Sequence, residues 1–262
     1  MSHLITHSRC PRCANLGRDI SKDNLGEYSD GHAYCYSCGY HKPGNLKSRI
    51  VSSDISETVT SGGLNFPEDY IKYIPREVYL WLNKYKLTHT EINQHKFGWS
   101  ENRKLFVMPV YQGDELLMWQ GRDFSGNPKA KKYLTHGPAS DILHIIESPL
   151  QDNDERDIIV VTEGLLDAIK VGRVYNAMPL WGSHMPLKTI RRLAMRFKRL
   201  GIWLDSDKLV EAVKTALRAS QFIETFVVHS ERDPKDHDIN WIQTYVRLGL
   251  RYPAAEKEAI DK

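Results

Sequence analysis

The chain has 262 residues, of which 41% are apolar and 26% are charged, and its formal net charge at pH 7 is +3. These fractions are ordinary for a globular protein, and no apolar run is long enough to span a membrane. The net charge is too small to indicate a nucleic-acid partner by itself, so only a local clustering of basic residues would point to one.

All four cysteines of the chain lie within its first 38 residues, as two Cys-x-x-Cys pairs, Cys10 with Cys13 and Cys35 with Cys38. Two such pairs can complete a tetrahedron of thiolates around one zinc ion. A site with four protein ligands is closed, and therefore structural rather than catalytic. Two disulfides are the alternative, but they need an oxidising compartment. The lack of a signal peptide and of further cysteines favours a reduced, cytoplasmic protein.

A module this short rarely buries enough apolar surface to fold alone, so we expect its folding to depend on zinc. We predict that the zinc ribbon covers residues 1–48. Residues 49–64 are polar and rich in serine, threonine and glycine, which predicts a flexible linker. A strand is the alternative there, because isoleucines and valines recur within the segment.

Residues 65–150 combine predicted helices with predicted strands. The segment 75–85 is predicted to be helical, and Thr88 and Glu91 have the spacing of a capping box that starts a second helix. Two strands are predicted over residues 104–110 and 116–122.

In residues 151–262 strands and helices alternate. Strands are predicted over residues 158–162, 177–181, 201–204 and 225–229, with helices over 165–171, 187–200 and 209–220. This alternation indicates an α/β fold with a parallel sheet and helices on its faces.

Acidic residues follow three of these strands. They are Glu163 and Asp167 after the first strand, Asp205 and Asp207 after the third, and Asp233 and Asp236 after the fourth. Functional residues of open parallel sheets lie at the carboxyl ends of the strands, and clustered carboxylates are natural ligands for magnesium. The alternative is that these acids only favour helix N-termini or form turns.

Basic residues are clustered in two places. One cluster is Arg122 with Lys129, Lys131 and Lys132, and the other is Lys188, Arg191, Arg192, Arg196, Lys198 and Arg199. Positive charge on both sides of an acidic metal site suits triphosphates and a nucleic-acid backbone. A solvated helix face is the alternative for the second cluster. On the ribbon, Tyr34 and Tyr36 either stack on unpaired bases or pack the small core.

These features resemble the DnaG-type primases, and most closely the primase part of phage primase-helicases. The resemblance is carried by the two cysteine pairs, residues 104–110, Gly121-Arg122 with Lys132-Tyr133-Leu134, Glu163-Gly164-x-x-Asp167, Gly182-Ser183, Asp205-x-Asp207 and Asp233-Pro-Lys-Asp236. It implies a zinc ribbon tethered to a two-part polymerase core, with residues 65–150 as its N-terminal subdomain and 151–262 as a catalytic TOPRIM domain, a fold also found in topoisomerases and nucleases.

The resemblance also implies roles for individual residues. Glu163, Asp205 and Asp207 would hold magnesium, or manganese in its place, and Asp236 would support them. Arg122 and Lys132 would contact the nucleoside triphosphate and the template, with Lys131 as an equally placed substitute. The zinc ribbon would help to read a short template sequence.

The implied function is a DNA primase, a nucleotidyltransferase that makes short RNA primers from ribonucleoside triphosphates on single-stranded DNA and releases an RNA–DNA hybrid. The sequence contains no Gly-x-x-x-x-Gly-Lys-Ser/Thr motif, so we expect any replicative helicase to be a separate protein. A magnesium-dependent nuclease and a non-catalytic factor that binds single-stranded DNA are the alternatives.

One departure from the family pattern affects the region after the metal ligands. In the family Asp-x-Asp usually continues as x-Ala-Gly, whereas here Lys208-Leu209-Val210 follows Asp207. Valine does not allow the close backbone approach that glycine allows. We therefore expect the placement of the following helix to differ.

Overall fold

The computed structural model describes residues 4–15, 17, 19, 22–29, 31–35, 37–38, 40–42, 64–149 and 155–252. The chain divides into two compact units, residues 1–60 and 61–262. The predicted linker, apart from Leu64, lies outside the described residues, and so does the strand considered as its alternative. In the described part of the chain, no helix has the length and apolar character needed to cross a membrane.

Short strands and one helical turn make up the described part of the first unit. They are β1 (Leu4–Ser8), α1 (Pro11–Asn15), β2 (Leu25–Tyr28), β3 (Ala33–Cys35) and β4 (His41–Lys42). The strands pair in chain order as an antiparallel sheet. The buried side chains are cysteines together with Leu25 and Ala33, and Tyr40 packs against them. So small an apolar core gives little stability without the metal that the thiols can bind.

The second unit begins with an antiparallel sheet and two helices. The elements are β5 (Tyr70–Ile71), α2 (Arg76–Lys84), α3 (His89–Gln94), β6 (Gly98–Ser100), β7 (Leu105–Gln112), β8 (Glu115–Asp123) and β9 (Tyr133–His136). The predicted capping box is present: the Thr88 hydroxyl accepts from the Glu91 N–H, and the Glu91 carboxylate accepts from the Thr88 N–H. The sequence did not indicate β5, which has two residues, or β9, whose mostly exposed side chains do not alternate with buried ones.

The remainder of the second unit forms the predicted parallel sheet. Its elements are β10 (Ile158–Thr162), α4 (Leu165–Gly172), β11 (Asn176–Pro179), α5 (Leu187–Ala194), β12 (Arg199–Trp203), α6 (Leu209–Ala219), β13 (Glu224–Val227) and α7 (Ile239–Leu250). The strands are all parallel, in the order β11-β10-β12-β13. The α/β fold class predicted from the alternation is therefore confirmed.

The central strand β10 is buried on both faces, which explains its unbroken β-branched sequence. Ile159 and Val161 pack in a core with α5 and α6, whereas Ile158 and Val160 pack in a second core with α4 and α7. A third core joins the two sheets, because Leu166 and Ile169 of α4 pack with Phe106 of β7. The start of α4, and with it the carboxyl end of β10, therefore lies beside the antiparallel sheet.

Two helices differ from their prediction. The helix predicted over residues 187–200 ends at Ala194, and the chain enters β12 where the N–H groups of Lys198 and Arg199 bond to the Asp157 carbonyl. The helix α7 was not indicated by the sequence, because exposed apolar residues such as Trp241 and Leu248 blur its periodicity.

Candidate functional site

The four cysteines of the first unit converge on one point. Cys10 precedes α1, Cys13 lies within it, and Cys35 ends β3. The Sγ atoms of Cys10 and Cys38 are 3.6 Å apart, and those of Cys13 and Cys35 are 3.7 Å apart. All four Sγ atoms lie within 4.8 Å of one another. In a tetrahedral zinc site with Zn–S bonds of about 2.3 Å, neighbouring sulfurs are about 3.8 Å apart. The four thiols are thus arranged as a closed four-sulfur metal site.

The second unit contains a cavity of about 430 Å³ at the carboxyl ends of the parallel strands. Its lining combines the loops after β10, β11, β12 and β13 with residues of α2, α4 and the antiparallel sheet. The lining residues are Tyr85, Met108, Gln120, Arg122, Lys132, Tyr133, Thr135, Glu163, Gly164, Leu165, Leu166, Asp167, Trp181, Gly182, Asp205, Asp233, Lys235 and Asp236. The cavity therefore lies where open parallel sheets place their ligands.

Two carboxylates in this cavity carry buried oxygens without a hydrogen-bond partner. Among the described residues, neither Glu163 Oε2 nor Asp205 Oδ1 meets a donor. Burial raises the pKa of Glu163, and the neighbouring charge of Asp205 raises it further. Burial also raises the pKa of Asp205; Lys235 opposes this change, and the charges of Asp233 and Asp207 add to it. Two half-buried acids that repel each other in this way are stabilised by a cation.

A second pair of carboxylates in the cavity is already paired with a lysine. Lys235 Nζ lies 2.6 Å from Asp233 Oδ2 and 3.3 Å from Asp167 Oδ1. The backbone N–H of Lys235 also donates to Asp167 Oδ1 at 3.0 Å. Asp167 is nevertheless so deeply buried that burial raises its pKa to about 7, against the lowering effect of Lys235.

On the opposite side of the cavity, Arg122 is held among aromatic rings. Its guanidinium carbon lies 4.3 Å from the centre of the Trp81 ring, 5.3 Å from that of Tyr133 and 5.7 Å from that of Phe124. Arg122 Nη1 donates to the Tyr133 hydroxyl at 2.8 Å. Lys132 lies next to Tyr133, and its charge lowers the pKa of Asp205 and Asp233. Both cations therefore face the acidic edge of the parallel sheet.

The structure brings together most of the residues predicted for the site. Arg122, Lys132, Glu163, Asp205 and Asp236 line the same cavity, together with Asp167 and Asp233. Asp207 and Lys131 do not line it. The Asp207 side chain is 75% exposed, and its nearest cationic neighbour is Lys208 at 3.8 Å.

The acidic residues of the cavity provide part of the ligand set that was predicted for magnesium. In the described residues, the cysteines are the one group of three or more ligand side chains whose donor atoms all lie within 4.8 Å of one another. Magnesium, however, binds proteins through one or two carboxylates and keeps several waters. The unpartnered oxygens of Glu163 and Asp205 supply that donor set, whereas Asp207 stands outside it.

The second basic cluster, on α5 and the residues after it, does not flank this cavity. Lys188 pairs with Asp141, Arg196 lies 3.7 Å from Glu147, and Lys198 lies 2.5 Å from Asp157. These acidic partners are all distant from the cluster in sequence. Arg192 and Arg196 line a separate groove of about 800 Å³. The expectation of basic residues on both sides of the acidic site is thus wrong for this helix.

The departure at Val210 has no steric consequence within its unit. Asp205 is followed by a short 3₁₀ turn at Ser206–Lys208, from which α6 begins at Leu209. Val210 is 61% exposed on the first turn of α6. The valine therefore points to solvent, and no close approach that would require glycine occurs there.

Three kinds of residue in the site escaped the sequence prediction. Lys235 lies between the two acids of the Asp233-Pro-Lys-Asp236 motif. Its closeness to Asp233 in the sequence could have indicated that the two residues form an ion pair. Trp81 lies on α2 and Tyr85 directly follows that helix, and no local pattern connects them to Arg122. Trp181 follows β11, so the rule that ligands lie at strand ends does find it; the neighbouring Gly182 was already part of the Gly182-Ser183 motif.

Solved structures with a similar fold are primases. The similarity to the zinc-binding and RNA polymerase domains of the Aquifex aeolicus primase has a TM-score of 0.54 at 14% identity, over 68% of this chain and 56% of that chain. A DnaG catalytic core gives 0.51 at 17% identity, over 68% of this chain and 74% of that chain. A lower TM-score of 0.45, at 16% identity, relates 95% of this chain to the whole primase fragment of the bacteriophage T7 primase-helicase protein. No protein-family model and no curated protein matches the sequence. The two structures with scores above 0.5 show that the chain has the fold of DnaG-type primases.

Proposed function

We propose that the chain is a DNA primase, a nucleotidyltransferase that joins ribonucleotides on a single-stranded DNA template during replication. The observation that carries this proposal is the composition of one cavity. Glu163 and Asp205, at the carboxyl ends of neighbouring parallel strands, share it with Arg122 and Lys132 of the antiparallel sheet region. The fold shared with primases supports the same assignment.

In this reaction the 3′-hydroxyl oxygen of one ribonucleotide forms a bond to the α-phosphorus of the next. The bond from that phosphorus to the oxygen bridging to the β-phosphate breaks, pyrophosphate leaves, and the proton of the hydroxyl group is released to solvent. Arg122 and Lys132 would hold the triphosphate and offset its negative charge. Because the rings of Trp81 and Tyr133 fix the guanidinium, Arg122 needs little reorganisation when the phosphates arrive.

Glu163 and Asp205 would hold magnesium, with manganese as the alternative, and Asp236 would act in their support. When bound, the ion supplies Lewis-acid stabilisation of the charge that develops on the phosphate oxygens. The chain's own contribution is to direct two carboxylates with unpartnered oxygens into the cavity. Asp207, whose side chain is largely exposed, would act on the ion only through its charge and not as a ligand beside Asp205.

Cys10, Cys13, Cys35 and Cys38 would hold a structural zinc ion, since their four sulfurs already have the spacing of a tetrahedral site. The ribbon would then contribute to recognition of the template. Tyr34, which is 41% exposed on β3, would contact an unpaired base of the template. The template, the ribonucleoside triphosphates and the RNA–DNA hybrid are the proposed partners, together with a separate replicative helicase in a bacterial or phage-infected cell.

The test is primer synthesis by the full chain. The assay contains single-stranded DNA of mixed sequence, magnesium and labelled ribonucleoside triphosphates. We expect short labelled RNA products in the wild type and their loss in Asp205→Asn. Magnesium-dependent loss of template without added ribonucleotide indicates a nuclease instead. Template binding without any incorporation indicates a non-catalytic factor, and either result overturns the proposal.

A further inference from the structure

Four of the five acids that line the candidate active site fall into two groups with different partners. Asp167 and Asp233 contact the ammonium group of Lys235. Glu163 and Asp205 each keep a buried oxygen that has no donor within the described part of the chain. The cavity is thus divided into an inner half that already contains a cation and an outer half that does not.

The position of Lys235 is fixed by its backbone as well as by its side chain. The residue lies in the 3₁₀ turn Pro234–Asp236, where its N–H donates to Asp167 Oδ1 at 3.0 Å. Its side chain is 18% exposed, and the side chain of Asp167 is 5% exposed. Asp233 is oriented in turn by the backbone N–H of Ser206, which donates to its Oδ1 at 3.3 Å. A cation held by one buried and one half-buried acid in this way is costly to displace.

The other basic residues of the cavity are differently placed. Arg122 is held over the rings of Trp81 and Tyr133, and Lys132 lies on an exposed segment. These two groups face solvent-accessible space where phosphates can enter. In the described lining, Lys235 is therefore the cation that is built into the acidic edge itself.

The formal charges of the cavity lining support this division. Five carboxylates and three basic side chains line the cavity, which leaves a formal charge of −2. One divalent ion neutralises that charge, whereas a second would leave the cavity positive before any nucleotide binds. Each inner carboxylate, moreover, has one oxygen committed to Lys235.

We propose that Lys235 serves as a resident cation of the active site, so that the free protein binds one divalent ion, at Glu163 and Asp205, rather than two. The proposal rests on the function proposed above, because it concerns the same cavity. Any further divalent ion would enter with the triphosphate. Lys235 is in this sense a positioning residue: it fixes Asp167 and Asp233 and restricts the ion to the outer half.

The number of bound ions tests this directly. Manganese is titrated into the full, zinc-loaded chain without nucleotide or template, and free manganese is followed by electron paramagnetic resonance. We expect one ion whose binding is lost in Asp205→Asn. In Lys235→Ala the inner carboxylates are released, and we expect two ions. In Lys235→Arg, which keeps the charge, we expect one.

Two ions or none in the wild type would overturn the proposal, and so would an unchanged count of one in a folded Lys235→Ala protein. If circular dichroism shows that Lys235→Ala does not fold, the proposal is judged on the number of manganese ions bound by the wild type and by Lys235→Arg. Because the titration contains neither nucleotide nor template, its result is independent of primer synthesis. An inactive chain that binds one ion retains this inference and loses only the proposed function.

Discussion

The two units of the chain hold their candidate metal ligands in different ways. In the first unit the cysteines are the greater part of the core, and the four sulfurs already lie within 4.8 Å of one another. In the second unit the acids stand at the edge of a sheet that has large apolar cores of its own. The comparison shows that a metal can be part of a fold or an addition to it. The first unit should therefore depend on its ion for folding and the second only for activity.

Removal of zinc should produce the largest effect, and it should be confined to the first unit. Structural zinc contributes about 10–16 kcal/mol in small zinc modules. After chelation of the full chain, we expect amide hydrogens of β2 and β3 to lose their protection from exchange, whereas those of β10 keep it. Hydrogen exchange followed by mass spectrometry measures both regions in one sample.

Elemental analysis of the same sample confirms that the zinc has left. Re-addition of zinc should restore protection in β2 and β3, which separates metal loss from irreversible damage. If β2 stays protected in the zinc-free chain, the first unit does not depend on its metal. Loss of protection in β10 would show that the stability of the second unit also depends on zinc.

Neutralising the carboxylates of the second unit should affect activity strongly and leave the fold intact. We expect Glu163→Gln and Asp205→Asn to lower the rate of primer synthesis by about 10²–10³-fold, the usual cost of losing one main electrostatic contact in an active site. Both variants should also unfold at a higher temperature, because each removes one charge of a half-buried, mutually repelling pair. Calorimetry and the primer assay measure the two effects.

Asp207→Asn is the matched control, because it makes the same chemical change two residues away on an exposed side chain. We expect a rate loss below about 10-fold, as for an exposed charge that acts only through screened electrostatics. An Asp207→Asn variant as inactive as Asp205→Asn would contradict the assignment of the ion to Glu163 and Asp205. It would indicate that Asp207 binds the ion together with Asp205, as the resemblance to the family implies.

The aromatic support of Arg122 should have a moderate effect. A cation–π contact contributes about 0.5–2 kcal/mol, which corresponds to about 2–30-fold. We expect Trp81→Leu to lower kcat/KM for the ribonucleoside triphosphate by a factor in this range, mainly through KM, because Arg122 is held less firmly. Trp241→Leu, on the exposed side of α7, should leave both constants unchanged. Equal effects of the two substitutions would remove the positioning role of Trp81.

Restoring the family residue at position 210 should have the smallest effect. Because Val210 is largely exposed on α6, Val210→Gly relieves no crowding and adds backbone freedom to a helix. We expect it to lower the free energy of unfolding by less than about 1 kcal/mol and to leave the rate of primer synthesis unchanged. Urea unfolding and the primer assay check this. A clear gain in activity would show that the valine does disturb the metal ligands.

The features of the two units also differ in whether they could be predicted from the sequence. The cysteine site depends on local spacing, so two Cys-x-x-Cys pairs were enough to predict it. Glu163 and Asp205 were predictable for a related reason. Each directly follows a short apolar strand, and parallel strands bring their carboxyl ends to one edge.

The remainder depends on contacts between distant segments. Lys188 pairs with Asp141, which lies 47 residues away in the sequence, so no local pattern indicates this ion pair. Trp81 contacts Arg122 only because α2 packs on the antiparallel sheet. The Asp-x-Asp motif suggested two equivalent ligands. The turn after Asp205, however, sends Asp207 to solvent, and no one-dimensional pattern encodes that direction.

A crystal soaked with manganese and a ribonucleoside triphosphate tests the central claim most directly, through the anomalous scattering of the ion. The account predicts an anomalous peak bound by Glu163 and Asp205, with the phosphates against Arg122 and Lys132. A peak bound elsewhere, or phosphates seated on the basic residues of α5 with the cavity lacking both, would contradict it.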